Sequence, residues 1–388
     1  MRIAHIITRL IVGGAQENTI LTCEGLHLRG HDVLLLAGPE TGPEGSLQSR
    51  VRAADYQFQI VPSLRRNVNP VHDLRAIADL RRRITEFNPD VVHTHSSKAG
   101  IIGRYAAKKA AGAPCIIHTV HGMSFNRTQP APIRAIYREA ESAVAPYTDH
   151  FVTVADAMTR QMIAAAIAPP EKCSTIYSGI ETDRFDPDHH DRARIRAEWN
   201  IPKDAVVIGT IARLQPNKGY EQIIDLMPDL IHRNHELRFV WVGHGQRAEQ
   251  YKTTLQQKNC LDRVHFTGLV PPDAVPRLLA GMDLVVHLSR WEGLPRVAAQ
   301  ASLMRVPVVA FDLDGTAEAI TTGTTGHLVP ADRPDQLMTA IIDLITDPEK
   351  RRRYGLAARE KCLPRFDHHR MVHDLEALYT RIAARAAQ

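Results

Sequence analysis

Short runs of β-branched apolar residues alternate with longer helix-like stretches from one end of the chain to the other. That alternation permits little except βα units wound into parallel sheets. The expected strands of the first half are Ile3 to Ile7, Asp32 to Ala37, Val91 to His93, Cys115 to Val120, His150 to Val154 and Ser174 to Tyr177. Those of the second half are Val206 to Ile211, Leu237 to Val242, Val264 to Thr267, Leu284 to His287, Pro307 to Ala310 and Gly326 to Val329. Each set is enough for one doubly wound sheet, and 388 residues exceed what a single core usually organises. Two α/β domains are therefore expected. The turn-forming, charged segment YSGIETDRFDPDHHDR places the hinge near residues 178 to 200. From Phe366 onward the pattern is helical with no strand to follow, which predicts a helix crossing back onto the first domain. The expected division is 1–180, 181–365 and 366–388.

Apolar residues make up 44% and charged residues 23%, ordinary values for a globular protein. The opening MRIAHIITRL is broken by His5 and Arg9, so neither a signal peptide nor a membrane span is expected. The five cysteines are scattered and form no Cys-x-x-Cys pair, which argues against a disulfide framework or a zinc site and fits a reducing cytoplasm. The net charge of +5 is unevenly spread: residues 1–180 carry 20 Lys+Arg against 15 Asp+Glu, and residues 181–388 carry 28 against 28. A basic half can face an anionic membrane, an acidic substrate or nucleic acid. Aromatics at 5% are too sparse for a base-stacking platform, so no nucleic acid partner is expected. An unevenly charged solvated surface is the plain alternative.

Ligands of open α/β sheets bind at the carboxyl ends of the strands. After the first strand, Gly13 and Gly14 precede a helix, where they let the backbone approach a phosphate or sugar oxygen; a tight turn would need the same glycines. Arg213 and Lys218 lie five residues apart after the first strand of the second half, a fork and a mobile point charge able to neutralise a diphosphate without a metal ion. In SRWEGLPRVAAQ, Glu292 precedes Pro295 at the expected first helical position, with the amides of Arg296 and Val297 facing outward to receive an anion. Glu292 can accept hydrogen bonds from sugar hydroxyls, and Gln300 returns to roughly the same face two turns later. Histidines gather at strand ends: His93 and His95, then His118 and His121. A zinc site is the rival reading, but no carboxylate stands nearby to complete it. His121, in the loop after its strand, is the functional candidate, and His118 reads as a core residue. Gly243 to Ala248 has the G-x-G-x-x-A spacing of a dinucleotide loop, yet the next strand ends without the acidic residue that a ribose requires.

Together these segments resemble the retaining GT-B glycosyltransferases of family four, from the first strand to the final helix. The carrying motifs are EGLPRVAAQASLMRVPVVAFDLDGTAEAI with the glycines that follow it, ARLQPNKG, GGAQ and HTVHG. The resemblance implies two Rossmann-like domains facing across a cleft, the first on the acceptor side and the second on the nucleotide-sugar donor side. It implies that Arg213 and Lys218 hold the donor diphosphate, assisted by the amides of Arg296 and Val297. Glu292 and the Leu294 backbone would contact the transferred sugar, and His121 would orient it. Gly14 and Gln16 would sit where donor and acceptor meet, with Gly268 and Leu269 near the base. Gln300 stands where the family has a ribose-binding Glu, and Arg305 replaces a common glycine at a helix end.

The implied reaction moves a sugar from a UDP- or GDP-linked donor to an acceptor sugar, with retained configuration and no cofactor or metal. Surface polysaccharide or glycolipid synthesis at the inner membrane face is the implied setting. A lipid-linked acceptor is one reading, in which the basic excess of the first half, with the clusters Arg65-Arg66, Arg81-Arg82-Arg83, Arg104 and Lys108-Lys109, meets anionic lipid; clusters on different faces and a soluble small-molecule acceptor are the alternative. Three rivals remain: a nucleotide-sugar epimerase or hydrolase of the same fold, a nicotinamide-dependent oxidoreductase, and a non-catalytic nucleotide-sugar binder.

Overall fold

The computed structural model describes residues 1–40 and 44–386. It divides into two compact units, one formed by Met1–Ile180 with the chain from Asp367 onward, the other by Glu181–Phe366.

The first unit is a seven-stranded parallel sheet. Its strands are β1 (Arg2–Ile7), β2 (Asp32–Ala37), β3 (Gln57–Ile60), β4 (Val91–His95), β5 (Cys115–Val120), β6 (His150–Thr153) and β7 (Cys173–Thr175), in the order 3-2-1-4-5-6-7. β3 is an addition to the sequence reading. It pairs with β2 alone at the sheet edge, and its Gln-Phe-Gln-Ile run alternates polar and apolar residues instead of forming the continuous apolar stretch of a central strand. The central strands are buried on both faces, so neighbouring residues serve opposite layers. Ile3, Ile7, Val33, Leu35 and Ile117 pack with helices Gly14–Leu28 and His368–Ala386, whose Met371, Val372, Leu375 and Tyr379 complete that layer. Ala4, Ile6, Leu34, Leu36 and Ile116 face helices Pro70–Phe87 and Ser97–Lys108. Helix Pro70–Phe87 shows why such elements form where they do. Asn69 caps it by accepting from the amides of Val71 and His72 at 3.1 Å, Pro70 takes the first turn, and Asn88 ends it in a left-handed conformation at φ 46°. Its buried stripe is Ala76, Leu80, Ile84 and Phe87.

Arg104 is a correction to the sequence reading. It is fully buried, its guanidinium donating to Glu141 at 2.6 Å, to the Gly100 carbonyl at 2.8 Å and to Thr148 at 3.2 Å, so it supplies no surface charge.

The second unit is a six-stranded parallel sheet of β8 (Val207–Ile211), β9 (Arg238–Val242), β10 (Val264–Gly268), β11 (Leu284–His287), β12 (Val308–Phe311) and β13 (Gly326–Val329), in the order 10-9-8-11-12-13. Ile208, Phe239, Trp241, Val286 and Val309 form its core with Tyr220, Ile223, Met227 and Leu230 of helix Tyr220–Arg233. In both sheets the order reverses beside the first strand, between β1 and β4 and between β8 and β11. Such switch points open a crevice at the strands' carboxyl ends.

Candidate active site

At the switch point of the second sheet, the loops after β8 and β11 are stitched together. Arg290 N–H donates to the Asn217 carbonyl at 2.9 Å. Gly219 adopts φ +86°, and a Cβ there would lie 2.2 Å from Leu288 Cβ, so only glycine lets these loops approach. Across the junction Lys218 Nζ donates to Glu292 Oε1 at 2.7 Å and to Ser289 Oγ at 3.1 Å. His287 Nε2 lies 3.5 Å from the same carboxylate oxygen, an electrostatic contact and not a formed hydrogen bond. Burial alone would raise the Glu292 pKa, but the attraction of Lys218 and the His287 ring outweighs it and holds the group well below the usual carboxylate range. The site therefore carries a fixed carboxylate.

The backbone of that carboxylate is also braced. Glu292 N–H donates to Asp314 Oδ2 at 3.0 Å, and Gly315 N–H donates to the Gly293 carbonyl at 3.1 Å. Leu294 is buried, and Pro295 caps helix Arg296–Leu303 from outside it, so Arg296 and not Pro295 opens the first turn. Arg296 and Val297 are half-buried there, and Gln300 is buried farther along the same helix. Ala298 and Ala299 N–H both donate to the Pro295 carbonyl, at 3.0 and 3.3 Å. His287, Ser289 and Asp314 were missed in the sequence reading. Only the strand-end position of His287 and Ser289 gave a signal, and Asp314 gave none, because its role depends on a loop 22 residues away.

Arg213 is exposed in the loop after β8. The neighbouring Gly243–Ala248 segment packs on that loop. Gly243 adopts φ +135° with room for no Cβ against the Ala212 carbonyl at 2.2 Å, and Gly245 meets the Leu214 carbonyl at the same distance. Those glycines are explained by loop-on-loop packing, without a dinucleotide. Gly268, at φ +71°, accepts from Gly243 N–H at 2.9 Å, and Leu269 beside it is exposed.

At the carboxyl edge of the first sheet, Gly14 opens helix Gly14–Leu28 and Gln16 lies within its first turn, its Oε1 next to Gly13. His121 follows β5 and is half-buried. Its Nε2 lies 3.1 Å from Nδ1 of His95, whose Nε2 lies 3.0 Å from Nδ1 of His5. His93 bonds the Tyr379 hydroxyl and, at 2.7 Å, Thr119 Oγ1. His118 is buried against Thr94, 2.9 Å from its hydroxyl. Among the described residues, His5, His93 and His95 are the one group of three metal-ligand side chains with atoms close enough to share an ion. Their ring nitrogens are already engaged with one another, with His121, Thr119 and Tyr379, all but Nε2 of His5. The geometry is that of a hydrogen-bonded cluster.

Residues 12–184 match the model of Glycosyltransferase Family 4, and residues 191–361 match that of Glycosyl transferases group 1. The chain is 26% identical over 383 residues to the Escherichia coli UDP-Gal:alpha-D-GlcNAc-diphosphoundecaprenol alpha-1,3-galactosyltransferase, covering 98% of this chain and 96% of that one. It is 30% identical over 263 residues to the Mycolicibacterium smegmatis GDP-mannose-dependent alpha-(1-6)-phosphatidylinositol monomannoside mannosyltransferase, covering 66% of this chain and 67% of that one. The crystal structure of Anabaena Alr3699/HepE with UDP and glucose superposes with a TM-score of 0.83 at 20% identity, over 98% of this chain and 100% of that one. The chain belongs to the GT-B glycosyltransferases, enzymes that act on nucleotide sugars, its first half of Glycosyltransferase Family 4 and its second of Glycosyl transferases group 1.

Proposed function

We propose that this protein transfers a hexose from a uridine or guanosine diphosphate sugar to a lipid-linked acceptor sugar, with retention at the anomeric carbon. The observation that carries the reading is the Lys218–Glu292 pair at 2.7 Å across the switch point, a cation for phosphate beside a carboxylate for sugar hydroxyls. Arg213 and Lys218 hold the diphosphate, with the first-turn amides of Arg296 and Val297. Glu292 and the Leu294 backbone bind the sugar, Gln300 the ribose, and Gly268 and Leu269 flank the base. In the first unit, Gly14 and Gln16 serve the acceptor and His121 orients the sugar. As the bond from the anomeric carbon to the phosphate oxygen breaks, the acceptor oxygen bonds to the same face, and its proton passes to the departing phosphate. Preorganised cations and amides stabilise the charge that develops on the leaving group.

The donor reading is supported by the two relatives named above, one with UDP-Gal in its name and the other called GDP-mannose-dependent, and both named for acceptors on a lipid. The acceptor reading also draws on the surface of the first unit. Helices Pro70–Phe87, Ser97–Lys108 and Ala131–Val144 pack side by side. Val71, Leu74, Ile133, Ile136 and Tyr137 are exposed on two of them, and Arg65, Arg66, Lys108, Lys109, Arg134 and Arg138 are exposed on or beside the three. Exposed apolar side chains together with exposed cations suit the headgroup region of an anionic bilayer. Among the described residues no helix is long and apolar enough to cross a membrane. Peripheral binding at the cytoplasmic face is the corresponding location.

The test is turnover of a panel of UDP- and GDP-sugars with a polyprenyl-diphosphate sugar, with and without chelator, and the product anomer read by NMR. Acceptor-dependent, chelator-resistant transfer with retention is expected. Donor consumption without an acceptor, or an inverted product, overturns the reading.

A further inference from the structure

Two nitrogens converge on one carboxylate oxygen at the switch point of the second sheet. Lys218 Nζ reaches Glu292 Oε1 at 2.7 Å, and His287 Nε2 stands 3.5 Å from the same atom. Only the lysine makes a hydrogen bond. Nε2 of His287, at the end of β11, is buried and has no hydrogen-bond partner, and only 8% of the side chain is exposed. Native folds leave few buried polar nitrogens unpaired, because the lost hydration is not recovered.

The surroundings show which partner that nitrogen lacks. A carboxylate only accepts, so Oε1 favours a proton on Nε2 in the neutral ring as well as in the charged one. Glu292 is held ionised, since Lys218 and the His287 ring outweigh the effect of burial. Its backbone N–H is tied to Asp314 Oδ2 at 3.0 Å, so any adjustment falls to the side chain. A shift of about 0.5 Å would bring Oε1 to the ordinary hydrogen-bond length of about 3.0 Å from Nε2. Ser289 offers no proton there, because its hydroxyl donates to the Trp291 carbonyl at 3.1 Å and accepts from Lys218 at 3.1 Å. What holds Oε1 away from His287 is the lysine. A diphosphate changes that balance: its charged oxygens compete for the same ammonium, and a cation shared between two anions binds each less tightly.

We infer that His287 is a positioning residue that receives the Glu292 carboxylate from Lys218 when the diphosphate of the nucleotide sugar binds. This rests on the reading that Lys218 holds that diphosphate. The handover keeps the carboxylate charged and in place for the sugar while the lysine is engaged by phosphate. It also gives the unpaired nitrogen its partner in the loaded site alone. His287 and nucleotide binding are thereby coupled through Glu292.

The experiment joins 15N–1H NMR of the histidine rings to calorimetric titration of the full-length protein with UDP and GDP, the His287 signals being assigned by their loss in His287→Gln. Saturating nucleotide should move the Nε2 proton of His287 downfield in the wild-type protein, as a new bond to a carboxylate does, and leave it in place in Glu292→Ala. His287→Leu should bind nucleotide roughly fivefold more weakly, the worth of one hydrogen bond. His287→Gln, whose amide N–H can reach the same oxygen, should recover most of that loss. In the Glu292→Ala background the His287→Leu change should alter affinity by less than about twofold, because the oxygen to be passed on is gone. A merely structural histidine would cost affinity equally in both backgrounds. That equality, or an Nε2 signal that nucleotide does not move, overturns the handover. If His287→Leu does not fold, the wild-type and Glu292→Ala spectra decide. A wild-type protein that binds neither UDP nor GDP sinks the reading of the nucleotide-sugar site itself, whereas binding without the coupling sinks the handover alone.

Discussion

Lys218 and Glu292 are 74 residues apart in sequence and 2.7 Å apart in the fold, one in the loop after β8 and the other in the loop after β11. Each is only about one-fifth exposed, so neither is an ordinary surface charge. The pair spans the switch point and sets a cation and a carboxylate side by side.

Substitutions should separate the two halves of the pair. Lys218→Ala should weaken nucleoside diphosphate binding by more than an exposed ion pair is worth, beyond about 1 kcal/mol or roughly fivefold. Glu292→Gln should cut turnover roughly 10- to 100-fold, the value of a charged hydrogen bond, without weakening nucleotide binding, because it releases Lys218 toward phosphate. Calorimetric titration with UDP and GDP, run beside steady-state kinetics, measures both. Equal loss of nucleotide affinity in the two variants would contradict the division of roles.

The same carboxylate sets a pH dependence. Its folded pKa is held below the ordinary value by Lys218 and the His287 ring, against the opposing effect of burial. A depressed carboxyl pKa contributes stability that is fully present above the unfolded value of about 4.3 and is lost as pH falls toward the folded value. The difference in Tm between wild type and Glu292→Gln should therefore persist down to about pH 5 and narrow below about 4.3. Scanning calorimetry across that range checks it, and a gap that closes already near pH 6 would point to a different group.

How far the sequence could be read depended on whether a feature was local. The parallel sheets followed from the βα alternation, because a strand buried on both faces must be a continuous apolar run. β3 escaped because an edge strand is free of that demand. Lys218 and Glu292 stood out by lying in loops after strands, but their direct contact is tertiary and left no trace in spacing. Asp314, which holds the Glu292 amide, and Glu141, which neutralises Arg104, were invisible for the same reason. Arg104 looked like one more surface cation, and only burial shows otherwise. His5 reads in sequence only as a break in the apolar opening, and the pairing of β1 with β4 is what brings it to His95.

Arg305 offers a test of backbone strain. It follows helix Arg296–Leu303 at φ +57°, in the left-handed region that favours glycine, and its side chain is held bidentately by Asp188 at 2.8 and 2.9 Å. Arg305→Ala removes the ion pair and keeps the strain, whereas Arg305→Gly removes both. The glycine variant should be the more stable of the two by about 1 kcal/mol, reversing the usual order of alanine and glycine. Urea unfolding of both proteins measures the difference, and an alanine variant equal to or above the glycine one would rule out the strain.

The acceptor surface is the remaining prediction. In helix Ala131–Val144 the first nine residues are exposed, and Ile133, Ile136 and Tyr137 fall at the i, i+3, i+4 spacing of one face. Ile136 is the most exposed of the three, and Arg134 and Arg138 stand beside them four residues apart. Val71 and Leu74 add to the apolar surface from helix Pro70–Phe87, with exposed Arg65 and Arg66 just before it. Each cation near an anionic bilayer contributes about 1 kcal/mol and is weakened by salt, whereas buried apolar side chains are not. Co-sedimentation should therefore show binding to anionic vesicles that falls but does not vanish at high salt, and weaker binding to neutral ones. Ile136→Ser with Tyr137→Ser should remove the salt-resistant part, and Arg134→Ser with Arg138→Ser should reduce the salt-sensitive part. Both doubly substituted proteins should keep full transfer to a short, water-soluble acceptor, because these side chains lie in none of the loops assigned to the donor. Equal and negligible sedimentation with both vesicle types would remove the membrane from the mechanism and make a soluble acceptor the substrate.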